Sequence, residues 1–294
     1  MSPHLVSPLR ISPSTTARTT LSAVPAALLL ALCAQAQAAV VDVTVTVENL
    51  APTNSISFAP LHVGFNNGSF DAFNLGGVAN PAIISVAEGG AGDVWQAAFA
   101  AADPTATRGT VGGLLLPGAS SSLSLQVDTS INAFFTFAAM VVPSNDFFIG
   151  NDSPTEYRLF NADGSLNLSS ITVGASEIWD AGSELFDPAA AAFVGNNDLR
   201  RDQQSVVAFN FAELAAFNGL GTGAGYTFQS NLSADSGVYR ISFEVSPVPE
   251  PGSYALMAAG LLGIGLLKRR RSVPITDQRR TGAPATDERT PAAG

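Results

Sequence analysis

Several short stretches of the chain alternate apolar and polar residues, which is the pattern of half-buried β-strands. Val41 to Glu48 alternates, and so do Ser121 to Val127 and Val238 to Val245 over most of their length. Leu61 to Phe65 is a shorter stretch of the same kind. Ala133 to Val142 is instead apolar at every position except Thr136, which predicts a central strand covered on both faces. The body of the chain is therefore predicted to be built mainly from strands.

Turn residues separate these strands, because the chain contains 27 glycines and 18 prolines. Tyr157 to Phe160 followed by Asn161 to Gly164 predicts a strand and a turn. The one helix-like piece, Ile83 to Ala102, is interrupted by Gly89 and Gly90. Many short strands with such turns predict an all-β fold, an antiparallel β-sandwich.

The first 39 residues have the features of an export signal. Two arginines precede the apolar run Ala23 to Cys33, and small residues then lead to a predicted cleavage site after Ala38 or Ala39. Residues 1–39 are therefore predicted to be a signal peptide. Cys33 is the only cysteine of the chain, so the mature protein is expected to contain no disulfide.

A second apolar segment follows Pro249-Glu250-Pro251. Ser253 to Leu267 is uncharged, and the basic cluster Lys268-Arg269-Arg270-Arg271 comes directly after it. Its 15 residues are fewer than the roughly 20 that cross a bilayer, but basic side chains extend the span. The pattern predicts one C-terminal transmembrane helix with its basic end in the cytoplasm. A buried core helix is the alternative, although it would not need the basic cluster.

Val248 to Arg271 resembles the PEP-CTERM sorting signal of Gram-negative bacteria. The resemblance implies that an exosortase, a membrane protease-transpeptidase, cuts near Pro249-Glu250-Pro251. The helix would then hold the protein in the inner membrane only transiently, before release or attachment at the cell surface. Such signals usually end soon after the basic cluster, whereas here a polar tail, 272–294, follows with the composition of a disordered segment. The predicted organisation is thus signal peptide 1–39, sandwich 40–246, sorting signal 247–271 and tail 272–294.

The chain between the two signals is acidic. Five of the 14 basic and 20 of the 24 acidic residues lie between Val40 and Val248, which gives a net charge of about −15. This charge excludes nucleic acid as a partner. It suits divalent cations, and it also suits a surface that is acidic only for solubility.

Two segments bring carboxylates to turns after apolar residues. Asp146 follows the apolar run that ends at Pro143, and Asp180 and Glu184 follow Ile178 and Trp179. Loops at one end of a sandwich can combine such carboxylates into a calcium site. Aspartate is also common in turns because its side chain accepts hydrogen bonds from backbone amides. The spacing leaves both interpretations open.

Four segments together resemble the spondin domain of F-spondin, mindin and many bacterial secreted proteins. They are Val47-Glu-Asn-Leu50, Ala87-Glu-Gly-Gly90, Met140 to Phe148, and Trp179-Asp-Ala-Gly-Ser-Glu184. The resemblance implies a C2-like sandwich with Ca²⁺ at one end, with Asp146 and Asp180 as the best ligands. Asp128, on the strand before Met140, is the third implied ligand. Glu184 keeps a carboxylate where animal relatives have aspartate, and Glu88 is expected to accept hydrogen bonds from loop amides.

No catalytic constellation is visible in the sequence. His62 is the only histidine after the signal peptide, and a lone histidine on a strand predicts a structural role. The prediction is a non-enzymatic binding or adhesion module of the cell surface or extracellular matrix, with extracellular polysaccharide or a surface protein as partner. The alternative is a secreted hydrolase of extracellular polysaccharide that uses Asp146 and Asp180 as paired carboxylates. A third interpretation is a structural role in biofilm that involves no single specific ligand.

Overall fold

Eleven β-strands and two α-helices form the body of the protein in the computed structural model, which describes residues 40–208, 211–248 and 258–264. In chain order the strands are β1 (Val40–Asn49), β2 (Ser57–Phe58), β3 (Leu61–Asn66), β4 (Thr107–Val111), β5 (Ser120–Asp128), β6 (Phe134–Val142), β7 (Phe147–Gly150), β8 (Tyr157–Arg158), β9 (Ser170–Gly174), β10 (Trp179–Asp180) and β11 (Gly237–Pro247). The helices are α1 (Pro81–Gly89) and α2 (Asp93–Ala102), and three short 3₁₀ helices span Ala175–Glu177, Asn197–Leu199 and Phe211–Phe217.

The strands form two antiparallel sheets, consistent with the predicted sandwich. One sheet has the order β5-β1-β11-β9. The other has the order β10-β7-β6-β3-β4, with β2 and β8 paired to β6. The first and last strands are neighbours in the middle of the four-stranded sheet, since Val41 pairs with Pro247 and Asn49 with Tyr239.

The main core lies between the two sheets. Val43, Val45 and Val47 of β1 are buried while the residues between them face outward, as their period-two pattern predicts. A second core lies between the seven-stranded sheet and the two helices, with Trp95 and Phe99 completely buried. Because β6 has a core on each side, its apolar run is buried on both faces, which confirms the prediction for this strand.

Local sequence signals define the two helices. Asn80 caps α1 through a hydrogen bond from Ile83 N to its side-chain oxygen, and Pro81 occupies the first turn. Gly90 ends α1 with φ of +64°, a conformation that favours glycine. The helix-like piece is therefore two helices, separated at the predicted glycines.

Residues 181–236 follow β10 and precede β11 without forming a named strand in their described part. They nonetheless contribute to the main core, because Leu214, Phe217 and Phe228 are buried. This irregular segment therefore packs on the main core, and it also contains the predicted ligand Glu184.

Several predicted segments lie outside the described residues. They are the signal peptide, Pro249-Glu250-Pro251, the basic cluster and the tail 272–294. Of the predicted membrane helix only residues 258–264 are described, and these are helical. Within the described part of the chain, no helix has the length and hydropathy needed to cross a bilayer.

Candidate functional site

Three of the four predicted ligands lie at one end of the sandwich. Asp146 stands between β6 and β7, and Asp180 ends β10 opposite Phe147. The amide of Ala181 donates to the carbonyl of Asp146 at 3.1 Å, which brings the turn after β10 against the turn after β6. Glu184 follows in the same turn. The two carboxylate-bearing segments recognised in the sequence are therefore adjacent in space.

The side chain of Asp146 is buried and holds the neighbouring turn. Its Oδ2 accepts hydrogen bonds from Ser183 N at 2.7 Å, Ser183 Oγ at 3.1 Å and Glu184 N at 3.0 Å. Burial raises the pKa of Asp146, and these donors act in the opposite direction because they favour the charged form. Asp146 thus fixes the conformation of residues 183 and 184.

Asp180 is a partly buried carboxyl group beside another acid. Burial and then the charge of Asp146 raise its pKa to about 7, against the hydrogen bond that its Oδ1 accepts from Gly182 N at 2.6 Å. Glu213 adds a smaller effect in the same direction as Asp146. The pair places two like charges together in a poorly solvated position, where a cation or a proton is favoured.

Glu184 is engaged by an arginine that the sequence analysis did not single out. Its Oε1 lies 3.1 Å from Nη1 of Arg200, and only 3% of the Glu184 side chain is exposed. Nη2 of Arg200 donates to the carbonyl of Glu88 at 3.0 Å, so the Glu88 backbone contributes to the cluster. Burial raises the pKa of Glu184 to about 7 although Arg200 lowers it. The one signal for Arg200 in the sequence is that it adjoins Arg201 in the acidic body between the two signals.

Asp128 is not brought together with the other three. It ends β5 opposite Val40, and its Oδ1 accepts from Ser130 N at 3.0 Å and Ser130 Oγ at 2.6 Å. The chain then enters β6 at Phe134, and Asp146 lies beyond the other end of this nine-residue strand. A strand of that length spans about 30 Å. Asp128 therefore lies at the opposite end of the sandwich.

The donor set fits a cation only in part. Among the residues that the structure describes, no group of three or more acidic, histidine or cysteine side chains has the arrangement of a metal site. Glu184 is paired with Arg200, and Asp146 Oδ2 is already surrounded by donors. In the described part of the chain, neither Asp146 nor Asp180 forms an ion pair with a basic side chain. Chemically, the pair can offer oxygen ligands to a hard cation or share a proton.

Comparison with known families finds one match, the PEP-CTERM protein-sorting motif at residues 247–271. The match includes Pro249-Glu250-Pro251 and Lys268 to Arg271, which confirms the resemblance seen in the sequence. No curated protein matches the chain. The motif indicates an exosortase-sorted extracellular protein, exported toward the cell surface, and makes an exosortase its processing partner. The matched segment begins at Pro247, the last residue of β11.

Proposed function

We propose that the chain is a binding or adhesion module of the cell surface or extracellular matrix, with a spondin-type sandwich as its working part. The observation that carries this proposal is that the sorting motif starts where β11 ends, so the folded body is what the sorting system delivers. The acidic body, with a net charge of about −15, suits a contact with anionic polysaccharide bridged by divalent cations. A surface protein of complementary charge is the other partner class.

The proposal includes a calcium ion held by Asp146 and Asp180. Ca²⁺ prefers oxygen ligands and accepts backbone carbonyls and water beside carboxylates. The like charges of this buried pair support the proposal, because a divalent cation would relieve their repulsion. Glu184 would stay with Arg200 and orient the loop, and Asp128 would take no part. The ion would stiffen the end of the sandwich at which residues 181–236 meet the sheets.

Thermal unfolding of the exported, processed protein with Ca²⁺ and with chelator tests the calcium site. A ligand that binds only the folded state raises stability, so we expect a higher Tm with Ca²⁺. Asp146→Asn and Asp180→Asn should abolish the rise, and Asp128→Asn at the other end should keep it. A calcium-dependent rise that persists in Asp180→Asn would place the ion elsewhere.

Release from isolated extracellular matrix tests the proposed contact. If cations bridge the protein to anionic polysaccharide, chelator should move it from the matrix to the soluble fraction, and added Ca²⁺ should return it. Retention in chelator would contradict a bridged contact. Polysaccharide turnover that disappears in Asp146→Asn and Asp180→Asn, with unchanged unfolding curves, would support a hydrolase instead.

A further inference from the structure

The sorting motif begins inside the last strand of the fold. β11 runs from Gly237 to Pro247, and the matched motif starts at residue 247. Pro249 is only two residues further along the chain, so no spacer separates the sheet from the segment that an exosortase must recognise. The enzyme therefore meets the folded sandwich directly on the N-terminal side of Pro249.

The end of β11 is held extended by its neighbour. Ser246 pairs with Asp42, and Pro247 pairs with Val41. The start of β1 is itself held on its other side by β5, where Val40 pairs with Asp128. Because β1 is paired on both sides from Val41 onward, it supports one side of β11 up to Pro247.

The other side of the same strand end is open. β9 follows β11 only as far as the pair Ser170 and Ser242, and one more bond joins Phe243 N to the carbonyl of Ser169. Beyond that point, none of the described strands pairs with this side of β11. Glu244 to Pro247 is thus a short stretch of extended backbone with one paired and one open edge.

The register shows which backbone groups face the open edge. The amide of Leu50 donates to the carbonyl of Val238, so even-numbered residues of β11 face β1 and odd-numbered residues face away. Val245 therefore presents its N–H and C=O at the open edge, and Pro247 presents its C=O. Proline has no N–H, but at this position none is needed for the pairing with β1.

We propose that the exosortase docks on the open edge of β11, from Glu244 to Pro247, by adding a strand of its own. Enzymes and peptide-binding domains commonly read extended segments in this way, since main-chain hydrogen bonds supply affinity without unfolding the partner. The folded sandwich then presents the sorting motif in a fixed, extended form. This inference rests on the sorting motif and the β11 register, and does not depend on calcium or on the partner outside the cell.

Insertion of a spacer distinguishes two mechanisms. In one, the exosortase docks on β11 by strand addition; in the other, β11 must first detach from the sheet. The full chain is produced in exosortase-bearing cells, and the processed form is followed by pulse-chase. Six Gly/Ser residues inserted between Val248 and Pro249 should slow processing several-fold, because they disconnect the docking strand from the motif. The same insertion in the exposed turn between Ala224 and Gly225 should leave the rate unchanged. Faster processing with the first spacer would overturn the proposal, since it would show that the folded strand obstructs the enzyme.

Three further variants probe the strand itself. Val245→Pro removes the outward N–H and should slow processing several-fold, whereas Val245→Ala keeps that N–H and should not. A disulfide between Asp42→Cys and Ser246→Cys locks β11 onto β1 and should leave processing intact. Processing that stops in the disulfide variant and returns on reduction would overturn the proposal, as would equal rates for the two Val245 variants. Thermal unfolding of each variant shows whether the sandwich has kept its fold.

Discussion

His62 shows how one side chain joins two layers of this fold. Its Nε2 lies 3.1 Å from the carbonyl of Gly90, and its Nδ1 lies 3.1 Å from Oγ1 of Thr110. Because a carbonyl only accepts, Nε2 carries the proton and Nδ1 accepts from the threonine hydroxyl. Burial lowers the pKa of His62, against the effects of Gly90 and Asp93, so the neutral ring is the form that fits the fold. The structural role predicted for this histidine agrees with these contacts.

The pKa of Asp180 gives a prediction for stability against pH. Its value rises from 3.8 in the reference state to about 7, so the folded protein binds the proton more tightly than the unfolded chain. The stabilisation is complete below about pH 4 and is lost as pH rises through about 7. In chelator, the free energy of unfolding of Asp180→Asn should therefore fall less between pH 4 and 8 than that of the wild type.

Urea unfolding at a series of pH values measures this difference. The comparison must be made between wild type and variant, because the lowered pKa of His62 acts in the opposite sense and weakens the fold as pH falls below 6.5. Parallel pH profiles for the two proteins would contradict the assignment to Asp180.

We predict that removal of the Asp146 carboxylate lowers the stability of the fold more than removal of any other single carboxylate. Asp146→Ala removes the acceptor of three buried hydrogen bonds and leaves the Ser183 and Glu184 donors without their partner. We expect a loss of about 2–4 kcal/mol in the free energy of unfolding, measured in urea. Asp163 is a matched control, since its Oδ1 also accepts from the N and Oγ of one serine, Ser165, but on the surface. Asp163→Ala should lose much less, and equal losses would show that burial does not decide the effect.

The contact between β3 and α2 depends on a glycine. A Cβ on Gly64 would overlap the ring of Phe99, which is completely buried in the second core. Gly64→Ala should therefore cost about 1–3 kcal/mol of unfolding free energy and lower Tm. Gly89 lies at the end of α1, and a Cβ added there would have no neighbouring atom within 4 Å. Gly89→Ala should therefore be nearly neutral. A neutral Gly64→Ala would mean that the helix layer shifts easily on the sheet.

The strands that the sequence located best are those with one face buried in the core and the other face turned outward. β1, β5 and β11 have one face against the main core and one outward, so period-two patterns located them. β4 escaped prediction because Gly109 and polar residues interrupt it. The segment 181–236 has buried residues, such as Leu214, Phe217 and Phe228, at no regular spacing, so a periodic pattern could not locate it.

The residues of the candidate site also fall into those that the sequence indicated and those that only the folded chain reveals. The sequence indicates that loops at one end of the sandwich bring Asp146, Asp180 and Glu184 together, and in the structure they meet because Asp146 directly precedes β7, which pairs with β10. The position of Asp128 depends on the direction of β6, which a local pattern does not contain. Arg200 reaches Glu184 through an irregular loop, so its role follows only from the folded chain.

At the scale of the whole molecule, sorting should depend on the motif and not on the tail. Replacing Pro249, Glu250 and Pro251 together with alanine should leave an unprocessed form in the membrane fraction, because the motif at 247–271 is the processing signal. Deleting 272–294 should leave processing unchanged. Cell fractionation and mass measurement of the product check both outcomes. Normal processing of the alanine variant would show that recognition lies outside these three residues.

Before processing, the two ends of the sandwich should differ in how accessible they are to a binding partner. Pro247 lies at the end that contains Asp128 and the start of β1, and the Asp146 cluster lies at the opposite end. The proposed calcium end thus faces away from the residue at which the sorting motif begins. A contact made there does not compete with the sorting machinery.

The central position of β11 determines when the protein can fold. The four-stranded sheet cannot be completed until Gly237 to Pro247 has been exported, because β11 separates β1 from β9. Until then β1 can pair only with β5 and β9 has no partner strand, and the missing pairings between residues about 200 positions apart form slowly. The last strand and the start of the sorting motif are therefore exported together. A complete sheet therefore indicates that the folded body, up to the end of β11, has been exported before the sorting motif is processed.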